Sequence, residues 1–162
     1  MITLVMAFSN PFGAFLFKVV SPKIMIAVGV FLGILSMVFG AAMVTFTQFV
    51  IGFSLLYGLG KGLCYFAPLA CGWEWIPERK GFVTGIILGA SGLGAFIFSF
   101  IAQAVVNPDN EQPIEMEDGN MMYSQEIALR VPRLLYVLAA CFSVLGVIAV
   151  LFVRKNPAFV YQ

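Results

Sequence analysis

The stretch Phe49–Trp73, FVIGFSLLYGLGKGLCYFAPLACGW, is apolar throughout and carries a single charge, Lys61. A bilayer core of about 30 Å is crossed by about 20 apolar residues in helical form, so this run reads as a spanning helix. Working outward, Met1–Phe17, Ile24–Val44, Gly81–Val106 and Leu134–Val153 approach or exceed the same length. Every charge other than Lys61 lies between these stretches or after the last. Lys18 and Lys23 follow the first, Glu74, Glu78, Arg79 and Lys80 follow the third, and a mainly acidic set runs from Asp109 to Arg133. Arg154 and Lys155 lie in the tail after the last.

Composition points the same way. Of 162 residues, 61% are hydrophobic and 10% charged, with a mean hydropathy of +0.99. A soluble domain carries about 25% charged residues, so this chain lacks the polar groups to cover a globular surface. The spans are too long and too uniformly apolar for barrel strands, which alternate at period two. The expected architecture is a single all-α membrane domain over 1–162. Its five transmembrane helices lie at about 1–17, 24–44, 49–73, 81–106 and 134–153, with an extracytoplasmic loop at 107–133. The first stretch has no basic start, Asn10 and Pro11 interrupt it, and no small-residue cleavage site follows, which speaks against a signal peptide.

Several function classes drop out. A net charge of +1 with no basic patch gives nucleic acid no purchase. Histidine is absent, which removes the commonest general base and metal ligand. Cys64, Cys71 and Cys141 sit inside apolar runs and read as small buried hydrophobes. No paired carboxylates, nucleophile with base, or metal cluster occurs at membrane depth, so no enzyme, cofactor or metal is expected.

Orientation follows from the basic residues. Lys18, Lys23, Arg79, Lys80, Arg154 and Lys155 fall on one side if the helices alternate, while the loop from Asn107 carries six acids. The side of Lys18, Arg79 and the C-terminus is therefore expected to be cytoplasmic. That puts the N-terminus outside, a difficulty that a further helix before Met1 would remove. The acidic run Glu111–Asn120 reads as a solvated extracytoplasmic loop.

Two features carry the functional expectation. Gly81, Gly85 and Gly89 recur every four residues with Gly92 on the same face, and Gly58 and Gly62 form a like pair. Such small-residue stripes let helix backbones approach closely, either as static packing or as a sliding contact. Lys61 lies about twelve residues, roughly 18 Å, from each end of its span, beyond easy snorkelling. Tyr57 and Tyr65, four residues to either side, place two hydroxyls beside the ammonium, a set suited to a carboxylate or another anion. An anion-facing role, structural pairing with a group elsewhere and a shallower depth all remain open for it.

The run Tyr57-Gly58-Leu59-Gly60-Lys61-Gly62-Leu63-Cys64-Tyr65-Phe66-Ala67-Pro68-Leu69 is followed by Trp75-Ile76-Pro77-Glu78-Arg79-Lys80-Gly81 and Gly89-Ala90-Ser91-Gly92-Leu93-Gly94. Together they resemble the major facilitator superfamily, in its oxalate/formate antiporter-like or monocarboxylate transporter-like branch. Asn107-Pro108 and Val131-Pro132, flanking the loop, fit the same branch. The resemblance implies helices two to six of a twelve-helix secondary transporter, part of its N-terminal half, with Lys18, Lys23, Glu78, Arg79 and Lys80 in the gate loops. It implies alternating access for small organic anions such as monocarboxylates, by symport or antiport. Proton coupling is a family expectation that no buried carboxylate in this sequence supports. One departure stands out: Phe17 occupies the place of a loop aspartate that in the family belongs to a charge lock, so either ordinary gating is lost or Glu74 or Glu78 compensates. The expected partners are membrane lipid, the anion and the missing helices of a longer transporter. The rival reading is a multi-pass accessory protein that stabilises another membrane protein.

Overall fold

In lipid no water satisfies backbone N–H and C=O groups, so a chain of this composition closes its hydrogen bonds within helices. The computed structural model describes residues 1–43, 45–115 and 121–158. It has five long helices: α1 Ile2–Val19, α2 Pro22–Ala42, α3 Phe46–Trp75, α4 Lys80–Val106 and α5 Gln125–Phe152. A 3-10 turn, Pro77–Arg79, joins α3 to α4. All five are long and apolar enough to cross a membrane, and large apolar side chains such as Phe8, Phe12, Phe31, Phe96 and Phe100 stay exposed on them. Exposure on that scale suits a lipid solvent and not water. The chain is an all-α integral membrane protein.

α1 runs unbroken through Pro11. It buries Ser9, Gly13 and Phe17, one residue per turn, against α3. Gly62 lies opposite Ser9, Gly58 opposite Val5, and Gly13 opposite Phe66. α2 begins at Ser21, whose side chain accepts a hydrogen bond from the Ile24 amide, with Pro22 in the first turn. Proline is tolerated there because its missing N–H would be unpaired in any case.

The tightest crossing joins α2 and α3. A Cβ built on Gly60 would stand 2.5 Å from the Gly29 carbonyl oxygen, and one on Gly29 would stand 2.7 Å from the Gly60 oxygen. Neither position has room for a side chain. Beside them the Cys64 thiol donates to the Ile26 carbonyl at 3.6 Å. α5 lies along α2, with Gly146 against Val30 and Leu135 and Ala139 packed with Met37.

α4 is held more lightly, with Val83 its one buried residue. Val83 meets Gly72 of α3, Trp73 Nε1 donates to Thr84 Oγ1 at 3.0 Å, and Phe98 stacks on Phe142 at 5.1 Å.

Two helices depart most from the expected spans. α3 extends the expected 49–73 by a turn at its start and two residues at its end, giving 30 residues. α5 begins at Gln125, well before 134, and takes Arg130 and Pro132 into the helix. Polar residues hid this opening segment. Ser124 stands at the cap, Glu126 lies in the first turn near the positive end of the helix dipole, and Glu126 approaches Arg130 at 4.0 Å. The buried Ile127 supplies the apolar anchor.

The connection between α4 and α5 is correspondingly shorter, and it is ordered by side chains. The Asn107 side chain accepts from the Glu111 amide at 2.8 Å and donates to the Glu111 carbonyl at 2.9 Å. Ser124 donates to Glu111 Oε2 at 3.0 Å. Two short strands, Ile114–Glu115 (β1) and Met121–Met122 (β2), pair antiparallel. The rest of the expected acidic run, 116–120, lies outside the described residues, as does the expected helix end at Val44.

Gly60→Leu should lower the stability of the detergent-solubilised protein by about 1–3 kcal/mol, the usual cost of overpacking. Gly85→Ala, built into open space, should stay within about 0.5 kcal/mol of the parent. Thermal-shift measurement compares them, and equal transitions would contradict the crossing.

Candidate functional site

α3 carries aromatic residues at four-residue intervals ahead of its lysine. Phe49 stacks on Phe53 at 5.2 Å and Phe53 on Tyr57 at 5.3 Å, and Lys61 is the next residue in the row. Residues four apart share one helix face, so the ladder points Tyr57 and Lys61 the same way. Stacking fixes the Tyr57 ring.

That face borders a partly open cavity of about 550 Å³ lined by α2, α3, α4 and α5. Tyr57, Lys61 and Cys64 line it from α3, Ser91 from α4, and Phe98 and Phe142 from the α4–α5 contact. Its space comes partly from glycine: Gly29, Gly33, Gly60 and Gly94 present only backbone to it. Lys61 is the one charged residue in the wall. Its ammonium has no hydrogen bond or ion pair among the described residues, and neither has the Ser91 hydroxyl or the Tyr57 hydroxyl. α3 places Lys61 near its midpoint, roughly 20 Å from either end. Lys61 is exposed where it borders this space, so its charge stands at an open face in a wall otherwise apolar or weakly polar. Tyr65, grouped with Tyr57 and Lys61 by spacing, is not among the cavity-lining residues. The aromatic ladder escaped the sequence reading, although its spacing is visible there. So did Gly29-Val30-Phe31-Leu32-Gly33, a small-xxx-small pair that forms both the α2 contact and the cavity wall.

The residues expected in gate loops lie at the opposite ends of these helices from the α4–α5 connection. Lys18 closes α1, Lys23 lies in the first turn of α2, and Glu78 and Arg79 form the 3-10 turn before Lys80. Lys18 and Lys80 border a smaller crevice of about 270 Å³ together with Trp73 and Glu74. Glu78 and Arg79 are exposed.

Glu74 corrects an expectation. The sequence reading placed every acid in a solvated gap and counted no buried carboxylate. Glu74 belongs to α3 and is 3% exposed, because the segment after α5 folds back over it. Its carboxylate accepts from the Asn156 amide at 3.1 Å. Phe17, at the position of the expected aspartate, is also buried. It sits edge-on to Phe66, with the Lys155 ammonium 4.4 Å over its ring.

The small-residue stripes divide into two kinds. Gly58 and Gly62 lie against α1, whereas Cβ atoms built on Gly81, Gly85, Gly89 and Gly92 meet nothing within 4 Å. Among the described residues, no helix covers that face of α4.

The five spanning helices define the class, an all-α multi-pass membrane protein, and the relatives below add a likeness to the major facilitator fold. Comparison with known proteins gives the same class. The chain is 39% identical over 111 residues to apicoplast pyruvate carrier 1 of Toxoplasma gondii, covering 62% of this chain and 20% of that protein. It is 29% identical over 96 residues to monocarboxylate transporter 12-B of Danio rerio, covering 59% of this chain and 20% of the relative. To the MFS-type transporter opdF of Penicillium oxalicum it is 24% identical over 95 residues, 59% of this chain and 22% of that one. The chain thus spans about a fifth of the length of these curated relatives. No family model matches it, and no solved structure matches it.

Phe98→Ala removes the stacking partner of Phe142 from the cavity wall. An aromatic pair is worth about 0.5–1.5 kcal/mol beyond its buried area, so the variant should loosen α4 while α1–α3 hold. Hydrogen exchange should speed up in α4 alone; uniform change across all five helices would contradict the light attachment of α4.

Proposed function

We propose that this chain forms part of a secondary transporter for small organic anions such as monocarboxylates, with Lys61 as the cation that receives the carboxylate. The observation that carries this reading is the lysine itself: mid-span, lining a cavity, and without an ionic partner among the described residues. A charge at the centre of a spanning helix costs about 2.5–3.5 kcal/mol on insertion, a cost that anion binding would offset. Tyr57 and the Ser91 hydroxyl stand in the same wall to take further hydrogen bonds. The names of the similar proteins, a pyruvate carrier and a monocarboxylate transporter, agree with this substrate class.

In this reading the five helices work with further helices of a longer protein, in keeping with the fraction of its relatives that the chain spans. The open glycine face of α4 is a surface along which one of those helices would pack. Alternating access would come from rocking of two halves about the midplane. Lys18, Lys23, Glu78, Arg79 and Lys80 would then lie in the gate loops on the cytoplasmic side, with the C-terminal segment of this chain.

Lys61→Met in the full-length protein should cut uptake of a small monocarboxylate by about ten- to a hundredfold, the worth of a charge-assisted contact of about 1.5–3 kcal/mol. Expression should hold or rise, because the inserted charge is gone. Uptake at the parental rate would overturn the assignment. A fall in expression would instead mark Lys61 as a structural ion-pair partner.

A further inference from the structure

The last four carbonyls of a helix have no partner inside it. α1 ends at Val19 and α3 at Trp75, so the carbonyls of Phe17 and Glu74 belong to this orphan set. Both are taken up by two consecutive residues of the segment after α5. Lys155 Nζ donates to the Phe17 oxygen at 2.7 Å, and Asn156 Nδ2 donates to the Glu74 oxygen at 3.1 Å. The Lys155 charge also sits favourably at the negative end of the α1 dipole. Asn156 makes a second link through its own amide to Glu74 Oε2. In return, Trp75 Nε1 donates to the Arg154 carbonyl at 3.0 Å. Val153, next in the chain, packs into the cluster of Phe17, Met25, Ile26 and Cys71.

We propose that Arg154–Asn156 is a latch that holds this end of the bundle shut by capping α1 and α3 together. Glu74 is the positioning residue that seats it. One tripeptide makes each of these links, so the caps on the two helices are lost together and the end of the bundle has two states. A latched state buries Cys71, and a released state uncovers the α1–α3 seam. Where the sequence resemblance leads one to expect an aspartate lock, Phe17 offers a ring and a carbonyl, and Lys155 engages both. That the latch must release during transport rests on the function proposed above.

Cys71 is a built-in reporter, 5% exposed and one turn before Glu74. In a Cys64→Ser, Cys141→Ser background of the full-length protein, it is labelled with a charged maleimide applied from the face that carries the tail. Asn156→Ala should speed labelling by about tenfold, the factor that 1.4 kcal/mol represents. Glu74→Ala should do the same, and Glu74→Gln, which keeps an acceptor for the Asn156 amide, should fall nearer the parent. Equal labelling of parent and Asn156→Ala would overturn the latch. With the parental protein, a transported monocarboxylate should itself speed labelling. If uptake is Lys61-dependent yet labelling ignores the anion, the segment is a static tie and its gating role is refuted. If there is no uptake, the transport reading fails, while the Asn156→Ala comparison still decides whether the latch exists.

Discussion

The close approach of α2 and α3 at Gly29 and Gly60 sets the rest of the structure. Two backbones come near enough that each glycine faces the other's carbonyl oxygen. Helices gain no hydrophobic drive to associate when the surrounding lipid is as apolar as they are. Close van der Waals packing over small residues is then the main source of affinity. The crossing also shapes the functional region. Gly29, Gly33 and Gly60 leave one wall of the cavity without side chains, and the chain sets its only mid-span charge directly after the glycine that makes the contact.

Much of this was legible in the sequence, for a physical reason. Charges are excluded from hydrocarbon so strongly that their positions mark off spans, and five long apolar helices were expected and are present. Lys61 stood out by the same logic. The start of α5 was not legible, because Gln125, Glu126, Arg130 and Arg133 interrupt its apolar residues and Pro132 follows within two turns. Such a segment looks like loop until its cap residue and the buried Ile127 are seen in place. Glu74 was misread because its burial depends on Asn156, 82 residues later, and no local pattern announces a tail that folds back.

The glycines taught a related lesson. Spacing alone grouped the stripes of α3 and α4 as equivalent packing surfaces. In the structure the α3 pair is filled by Val5 and Ser9, and the α4 stripe faces open space. Spacing reports that a helix can be approached closely; it does not report what approaches it. Tyr65 carries the same warning. A spacing of four residues predicted its company with Lys61, yet the cavity wall continues through Cys64 and across to α4.

α3 presents its small residues in two directions, Gly58 and Gly62 toward α1 and Gly60 toward α2. A helix keyed on two sides cannot turn about its axis or slide lengthwise without driving a side chain of one neighbour into its backbone. α1, α2 and α3 therefore displace as one block. α4, attached through Val83, Trp73–Thr84 and Phe98–Phe142, is the element that can swing. A tilt of that helix would change the volume around Lys61, and a ligand that draws α4 inward would resize its own compartment without disturbing the block that holds the cation.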